Sequence, residues 1–456
     1  MLALASLIYF TSSGGAFGLE PLIGAIGPLW GGVLILVAPL VWSLPISLIA
    51  AELTGLMPEE GGFYIWVRET MGAFWGVQEA WWVLTYAVIV LAIFPVLFVT
   101  YLTFFFPALA ASADGVHPVL GALLRWLVAI LVIASSMVVN LKGAREAGRL
   151  AKIGAVFVLG AFVIMILVWL RRGDGPGGVA GVVAHGFGNE HHGALLLVLS
   201  IVVFNFSGWD CASTYAAEVD EPQRNYPKAI ALALGITVLS YLLPVIAGVS
   251  VTTDPKIWSD AAGWPVIAQL IGGHWLGNLL AAAGLASMWG LFNAQLLYAS
   301  RLPYVMAYDR WLPKALAKAS PGIGAPTLAI ISLCVIAGIF AALSFGELAV
   351  IQCVVYAGVP ILECIALVIL RLRRPDAPRL FRVPGGWWGL GYVCLAPLGF
   401  AMLVLFSALR EWRGFRGQLF VVALIVASGV CLYWLRRRIA LPRVGGGEQA
   451  ELLEAE

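Results

Sequence analysis

The sequence predicts an all-α integral membrane protein with twelve transmembrane helices. Of its 456 residues, 61% are hydrophobic and only 11% are charged, whereas soluble domains carry about 25% charged residues. The charges are clustered, and the windows between them are long enough for about 20 apolar residues to cross a bilayer as a helix. The basic residues are also distributed unevenly between alternate loops, as in multi-pass membrane proteins.

Twelve charge-poor windows locate the predicted spans. In chain order they are residues 1–26, 21–51, 80–113, 126–141, 153–170, 194–219, 229–253, 275–300, 326–345, 348–370, 388–409 and 418–435. With the N-terminus inside, 20 of the 27 basic residues fall on the inner side and 7 in the outer loops, which satisfies the positive-inside rule. Because the number of spans is even, the C-terminus is predicted on the same side as the N-terminus, so both termini are cytoplasmic. The expected location is the cell membrane.

The remaining segments argue against several other classes of protein. The net charge is +2 and no basic block with interleaved aromatic residues is present, so nothing indicates a nucleic-acid partner. The six cysteines lie in apolar segments without a C-x-x-C pair, which indicates neither a disulfide framework nor a zinc site. Residues 172–193 hold three histidines without other ligands and predict a solvated outer loop rather than a metal site; no cofactor is expected. Residues 254–273 predict an interfacial lid with two tryptophans.

The sixth span has a polar interruption at membrane depth. Asn205, Ser207 and Gly208 occur in the middle of the apolar run, and Trp209 stands beside Asp210. Charge inside a membrane span is costly and is by default a functional-site hypothesis. The alternative is a glycine kink in which Asp210 bonds to a neighbouring helix.

The first span has a matching interruption. Phe10-x-x-Ser13-Gly14 recurs as Phe204-x-x-Ser207-Gly208 at an offset of 194 residues. Five spans separate the two, so the second half enters from the opposite side of the membrane. Paired discontinuous helices in an inverted repeat indicate a binding site, because their unwound turns leave backbone groups free for a ligand. The predicted units are 1–171 (first repeat), 172–193 (outer loop), 194–371 (second repeat), 372–438 (last two spans) and 439–456 (cytoplasmic tail).

These motifs resemble the amino acid–polyamine–organocation (APC) transporter superfamily over nearly the whole chain. Further similarities are residues 218–229 (EVDEPQRNYPKA) after the sixth span and 299–307 (ASRLPYVMA) after the eighth. The resemblance implies a LeuT-like fold, with five-plus-five helices in an inverted repeat and discontinuous helices 1 and 6. The segments most similar to the polyamine-uptake and L-type amino acid branch are 13–20 (SGGAFGLE), 42–45 (WSLP), 58–62 (PEEGG) and 94–98 (FPVLF). Val90-Leu91 and Gln295 stand where that branch tends to have polar or acidic groups. The loss of these groups argues against a long polycation as the substrate.

The resemblance also implies roles for individual residues. Ser13, Gly14 and Gly15 match the motif that holds an amino-acid carboxylate, Phe204 matches an aromatic gate, and Asp210 matches the carboxylate of polyamine carriers. The substrate-binding set that we expect from both arguments is Ser13, Gly14, Gly15, Phe17, Glu20, Phe204, Asn205, Ser207, Gly208, Trp209 and Asp210. Glu20 is either a second anion for an ammonium ligand or an outer-end helix residue, and Trp209 either stacks on a cation or only packs.

Coupling is expected to involve Lys152, Asp210 or Glu363. Lys152 matches a lysine that takes the place of a sodium ion in sodium-independent members, although a lysine at the inner interface is the alternative. Asp210 and Glu363 are both candidates to carry a proton.

The expected function is secondary active transport of amino acids or polyamines by alternating access, sodium-independent and either proton-coupled or exchanging. A dedicated polyamine or putrescine importer is the alternative within that class. A channel or a membrane-embedded enzyme is disfavoured, because neither a pore motif nor a His-Glu-x-x-His spacing occurs. The expected partners are an amine substrate and the lipid bilayer.

Overall fold

A computed structural model describes residues 9, 13, 15–57, 61–109, 118–172, 194–209, 222–260, 262–318, 320, 326–379 and 381–439, with the backbone alone at 144–152, 155, 222–224 and 226–227. All regular structure within these residues is helical. The helices are α1 (Glu20–Ala38), α2 (Leu44–Leu56), α3 (Gly62–Met71), α4 (Ala73–Leu102), α5 (Pro118–Leu141), α6 (Ala144–Arg171), α7 (Leu195–Phe206), α8 (Pro222–Val249), α9 (Pro255–Ser259), α10 (Gly263–Gly272), α11 (His274–Ala299), α12 (Arg301–Tyr308), α13 (Thr327–Phe340), α14 (Phe345–Tyr356), α15 (Val359–Arg373), α16 (Gly386–Arg410) and α17 (Arg416–Arg436). A π-helical turn, Pro39–Ser43, joins α1 to α2, and a 3₁₀ turn spans Lys314–Ala317.

The lengths and hydropathies of these helices confirm a multi-pass membrane protein. Among the described residues, eight helical stretches are long and apolar enough to cross a membrane. They are Glu20–Leu56, Ala73–Leu102, Pro118–Leu141, Lys228–Val249, His274–Tyr308, Phe345–Arg373, Gly386–Arg410 and Arg416–Arg436. Shorter apolar helices are Val156–Arg171, Leu195–Phe206, Gly263–Gly272 and Thr327–Phe340. The total of twelve spans stays a prediction.

The first long stretch contains a turn at Gly27. A straight 37-residue helix over Glu20–Leu56 would be about 55 Å long at about 1.5 Å per residue, whereas the hydrocarbon core is about 30 Å thick. Gly27 has φ 80° and ψ 166°, outside the helical region, and Pro28 follows it. The stretch therefore consists of a short helix beginning at Glu20 and a longer one continuing through the π-helical turn, which agrees with the overlapping predictions for the first two spans.

The third predicted span is shifted toward the N-terminus. The sequence predicts a span over residues 80–113, and α4 covers Ala73–Leu102 instead. The shift brings Gln78 and Glu79 into the helix, where both are buried. A charge-free window cannot predict this start, because α4 lies inside the bundle and polar side chains are tolerated among other helices.

Two helix starts are capped by carboxylates. Glu411 accepts hydrogen bonds from the backbone N–H groups of Leu195 and Leu196 at 2.9 and 3.0 Å, which binds the start of α7 to the turn after α16. Ser344 and Glu347 form a reciprocal capping box at the start of α14. Anionic groups are favourable at helix N-termini, so these caps fix where α7 and α14 begin.

Candidate functional site

The interruption of the first span is fixed by two glycines with positive φ. Gly15 has φ 86° and Gly18 has φ 85°, a region that L-residues with a side chain rarely adopt. A Cβ on Gly18 would lie 3.1 Å from Phe204 Cε1, and one on Gly15 would lie 2.9 Å from Val158 Cγ1. Backbone conformation and space therefore both require glycine here, and residues 15–18 are not helical.

The interruption of the sixth span begins at Ser207. Helix α7 ends at Phe206, Ser207 is extended (φ −99°, ψ 175°) and Gly208 has φ 90°. Three donors outside α7 satisfy the acceptors at this end. Tyr241 donates to the carbonyl of Asn205 at 3.0 Å, Ser43 to the carbonyl of Phe206 at 2.8 Å, and Trp42 Nε1 to the hydroxyl of Ser207 at 3.1 Å. The predicted break therefore has a fixed geometry, although helix ends normally leave such carbonyls without partners.

The two interruptions contact each other. Asn205 Nδ2 donates to the carbonyl of Gly18 at 3.2 Å and to the carbonyl of Ile201 at 2.9 Å. The Phe204 ring packs against Gly18 and lies 6.2 Å from the ring of Phe94 and 5.5 Å from that of Phe345. The structure thus brings together the two breaks that the sequence pairs only by motif.

Glu20 is the acidic residue at this junction, and it is fully buried. Its Oε1 accepts a hydrogen bond from the Tyr101 hydroxyl at 2.6 Å, and its Oε2 accepts one from the Gly18 N–H at 2.7 Å. Within the described residues, no basic side chain forms an ion pair with Glu20. Backbone N–H groups of Glu20 itself and of Trp264 also stabilise this carboxyl group, so its described partners are all neutral.

Aromatic residues surround the first break. The Phe17 ring lies 5.1 Å from the ring of Tyr101 and 4.9 Å from that of Phe162. Trp264, in α10, donates from Nε1 to the carbonyl of Ala16 at 2.8 Å. The segment predicted as an interfacial lid therefore forms the helices α9 and α10, and α10 bonds directly to the break. Tyr101, Tyr241 and Trp264 were not expected as site residues, because apolar windows do not distinguish a buried tyrosine or tryptophan with a partner from one without.

The other expected site residues are placed as follows. Ser13 is buried, and its N–H donates to the carbonyl of Tyr9 at 2.7 Å. Trp209 is buried in an apolar cluster with Tyr9, Ala51 and residues of α8, which supports the packing alternative for its ring. Gly14 and Asp210 lie outside the described residues, and for Lys152 only the helical backbone is described.

Glu363 is fully buried in α15, the second part of the tenth span. Helix α14 ends at Tyr356 and α15 begins at Val359, so Glu363 lies about one turn after this interruption. The described contacts place its neighbour Leu362 beside Val67 of α3. The part of Glu363 in coupling stays a prediction.

A second carboxylate network lies where α2, α15 and the start of α16 meet. Arg371 Nε and Nη2 donate to the two oxygens of the buried Glu52 at 2.9 and 2.5 Å. Arg379 Nε lies 3.3 Å from Glu52 Oε1, and the N–H of Val383 donates to Oε2 at 2.7 Å. This bidentate geometry is the strong form of the arginine–carboxylate pair. It ties α2 to α15 and to the segment before α16.

A further polar group joins α3 to the end of α12. Tyr64 donates to Asp309 Oδ2 at 2.6 Å, and Arg68 Nη1 donates to the same oxygen at 2.8 Å. Burial raises the pKa of Tyr64 well above its usual value, and the negative charge of Asp309 raises it further. Tyr64 therefore stays a donor at all physiological pH values. Asp309 has its charge compensated by Arg68.

Comparison with known proteins finds a permease family and relatives that are named transporters. The model of the amino acid permease family matches residues 1–430. The "Polyamine transporter PUT1" of Oryza sativa subsp. japonica is 34% identical over 406 residues, which is 89% of this chain and 73% of the relative. The "Polyamine transporter RMV1" of Arabidopsis thaliana is 32% identical over 437 residues, or 93% of this chain and 83% of the relative.

Proposed function

The chain belongs to the amino acid permease family and is a membrane transporter, and we propose that it moves a small amine across the membrane by alternating access. The substrate class is an amino acid or a polyamine, and transport is sodium-independent and coupled to protons or to exchange. In this proposal the chain has twelve spans, arranged as a LeuT-like five-plus-five inverted repeat with two further helices.

One observation carries the proposal: a buried carboxylate lies where two interrupted helices touch. Glu20 has hydroxyl and N–H partners but no cationic partner among the described residues. Asn205, in the sixth span, donates to the carbonyl of Gly18, two residues before Glu20. A buried carboxylate is tolerated as an anion only when it is paired and hydrogen-bonded. A substrate ammonium at the junction would supply the missing charge.

The remaining roles complete the site. Ser13, Gly14 and Gly15 provide the hydroxyl and backbone N–H groups for a substrate carboxylate, and Phe17 and Phe204 provide aromatic walls. Ser207, Gly208 and Asp210 continue the site along the sixth span, with Asp210 as a second anion. Lys152 and Glu363 are proposed to act in coupling. A substrate with both an ammonium and a carboxylate would use both ends of the first break, whereas a diamine would use Glu20 and Asp210.

The similarity to proteins named polyamine transporters supports a diamine or polyamine over an amino acid. The apolar character of α4 favours a short diamine or polyamine over a long one. Val90 and Leu91, at the place where the polyamine branch tends to have polar groups, are buried among apolar residues. We therefore propose putrescine-sized amines as the first substrates to test, with spermidine and zwitterionic amino acids as the contrasting classes.

The test is uptake and counterflow in proteoliposomes that contain the purified protein. Radiolabelled putrescine, spermidine and a panel of amino acids are compared at two pH values, with sodium present or replaced by choline. Saturable counterflow of one amine class without sodium is expected, and Asp210→Asn is expected to abolish uptake of cationic substrates. Flux that neither saturates nor shows counterflow would contradict a carrier, and strict sodium dependence would contradict the role of Lys152.

A further inference from the structure

A membrane-facing groove lies apart from the two helix breaks. It has a volume of about 520 Å³ and is lined by α4, α13, α17 and the segment that follows α12. Two of the lining residues, Leu424 of α17 and Ile336 of α13, are 53% and 41% exposed. Because these residues belong to membrane-spanning or apolar helices, the groove opens toward the lipid and not toward water.

The lining of the groove offers no free hydrogen-bond donor. Its hydroxyl groups all donate within their own helices, at 2.8 Å for Thr85 to the Trp81 carbonyl, 2.9 Å for Ser332 to the Ala329 carbonyl and 2.7 Å for Ser428 to the Ile425 carbonyl. Trp81 Nε1 donates to the Ile425 carbonyl and to Ser428. A hydroxyl has only one proton to donate. The groove therefore suits a hydrocarbon occupant and does not suit a polar substrate.

One end of the groove is basic. Leu312 and Leu316 line that end, and Lys314 and Lys318, which alternate with them along the chain, are exposed. Residues 310–318 contain no acidic side chain. The acidic residue just before them, Asp309, already accepts from Tyr64 and Arg68. The ion pairs of the described residues involve other basic side chains, so this end carries positive charge without a described counter-ion.

A second basic segment lies beside the first. The ring of Trp311 stacks on that of Tyr433 in α17, with centroids 5.5 Å apart and an interplanar angle of 18°. This contact holds residues 310–318 against the end of α17, where Arg437 lies 3.8 Å from the ring of Trp434. The charge distribution predicts that this end faces the cytoplasm, the side on which anionic lipids are concentrated.

We infer that this groove binds an anionic phospholipid, with one acyl chain between α4, α13 and α17 and the phosphate at Lys314 and Lys318. The apolar lining recognises the chain and the basic end recognises the headgroup. Each Lys or Arg near an anionic membrane surface contributes about 1 kcal/mol, so replacing both lysines with glutamate should weaken retention of the lipid at least about 30-fold.

Native mass spectrometry of the full-length protein in detergent tests the site. Phosphatidylglycerol and phosphatidylcholine with identical acyl chains are added, and the retained lipid is counted. Wild-type protein should retain more phosphatidylglycerol, and both Lys314→Glu/Lys318→Glu and the groove-filling Ile336→Trp should lose it. Two matched controls should retain it: Arg413→Glu, an exposed arginine at Trp412, and Leu131→Trp, in another membrane-facing groove of about 500 Å³.

Several results would overturn the inference. Equal retention of the two lipids by the wild type, or unchanged retention in the lysine variant, would remove the headgroup site. Displacement of phosphatidylglycerol by inorganic phosphate, with Ile336→Trp unaffected, would mean that the lysines bind phosphate alone. Loss of a dimer in Ile336→Trp without loss of lipid would assign the groove to a second copy of the chain. Leu424→Ala, which removes a wall of the groove, serves as a second variant if Ile336→Trp does not fold.

Discussion

Two glutamates, Glu20 and Glu52, are equally buried and have opposite surroundings. Neither exposes any surface to solvent. Glu52 is bound by the guanidinium of Arg371, by Arg379 and by the N–H of Val383. Glu20 is bound by the Tyr101 hydroxyl and by backbone N–H groups, all of them neutral.

The difference separates a carboxylate that is paired with arginines from one that has only neutral partners among the described residues, and we propose that the second is available to a ligand. The charge of Glu52 is compensated within the protein, so Glu52 joins helices and has no need of a ligand. The charge of Glu20 has hydrogen bonds but no opposite charge in the described residues. Glu20 also lies at the contact between the two helix breaks, whereas Glu52 lies near the chain segment that connects α15 to α16. Burial alone would have ranked them as equals.

The largest expected effect on stability comes from breaking the Glu52 pair. Arg371→Met should lower the free energy of unfolding by up to about 3–5 kcal/mol, because it removes the bidentate partner of a buried charge and leaves only Arg379 beside Glu52. The measurement is thermal unfolding in detergent with and without Glu52→Gln in the same chain. The double variant should recover part of the loss, and a single variant as stable as the wild type would show that the pair does not hold α2 to α15.

A smaller effect is expected from the donors around Glu20. Tyr101→Phe removes the hydroxyl that donates to Oε1 and should cost about 1.5–3 kcal/mol, the range for hydrogen bonds to charged groups. Uptake of the amine should fall along with stability. Tyr392→Phe is the control, because its hydroxyl donates to the carbonyl of Leu40 and not to a residue of either break. An equal loss in both variants would contradict a special role for Tyr101.

Of the three perturbations, a change in the backbone of the first break should lower the stability least. Gly18→Ala is expected to cost about 1–2 kcal/mol for the left-handed backbone, and it should reduce uptake because the new Cβ displaces the ring of Phe204. Gly290→Ala in α11, where a Cβ meets no other group, should be neutral or slightly stabilising. Unchanged uptake in Gly18→Ala would mean that the Phe204 position is not critical.

Much of this arrangement can be predicted from local features of the sequence. The polar interruptions at Ser13–Gly18 and Ser207–Gly208 predict the breaks, because glycine and serine inside an apolar run favour an unwound backbone over a continuous helix. The tryptophans of residues 254–273 predict an interfacial lid, and the structure adds that Trp264 of this segment bonds to the first break. The offset between the two Phe-x-x-Ser-Gly motifs predicts that the breaks are related, and the contact from Asn205 to Gly18 agrees with this.

The partners of the two carboxylates could not be predicted in this way. Tyr101 is 81 residues from Glu20, and Arg371 is 319 residues from Glu52. Hydropathy windows treat Tyr101 as one more residue of an apolar span and count Arg371 with the basic residues of an inner loop, although Arg371 is buried in the last turn of α15. Such pairs depend on which helix faces pack together, and a single sequence does not contain that information.

The central claim is that Glu20 provides the negative charge for a substrate ammonium. The most direct test is the dissociation constant of the transported amine, measured by scintillation proximity on the wild type, on Glu20→Gln and on Glu69→Gln as the control in an exposed part of α3. Glu20→Gln should remain folded and bind the amine at least about tenfold more weakly, which corresponds to about 1.4 kcal/mol, while Glu69→Gln binds normally. Equal affinity of the wild type and a folded Glu20→Gln variant would contradict the claim.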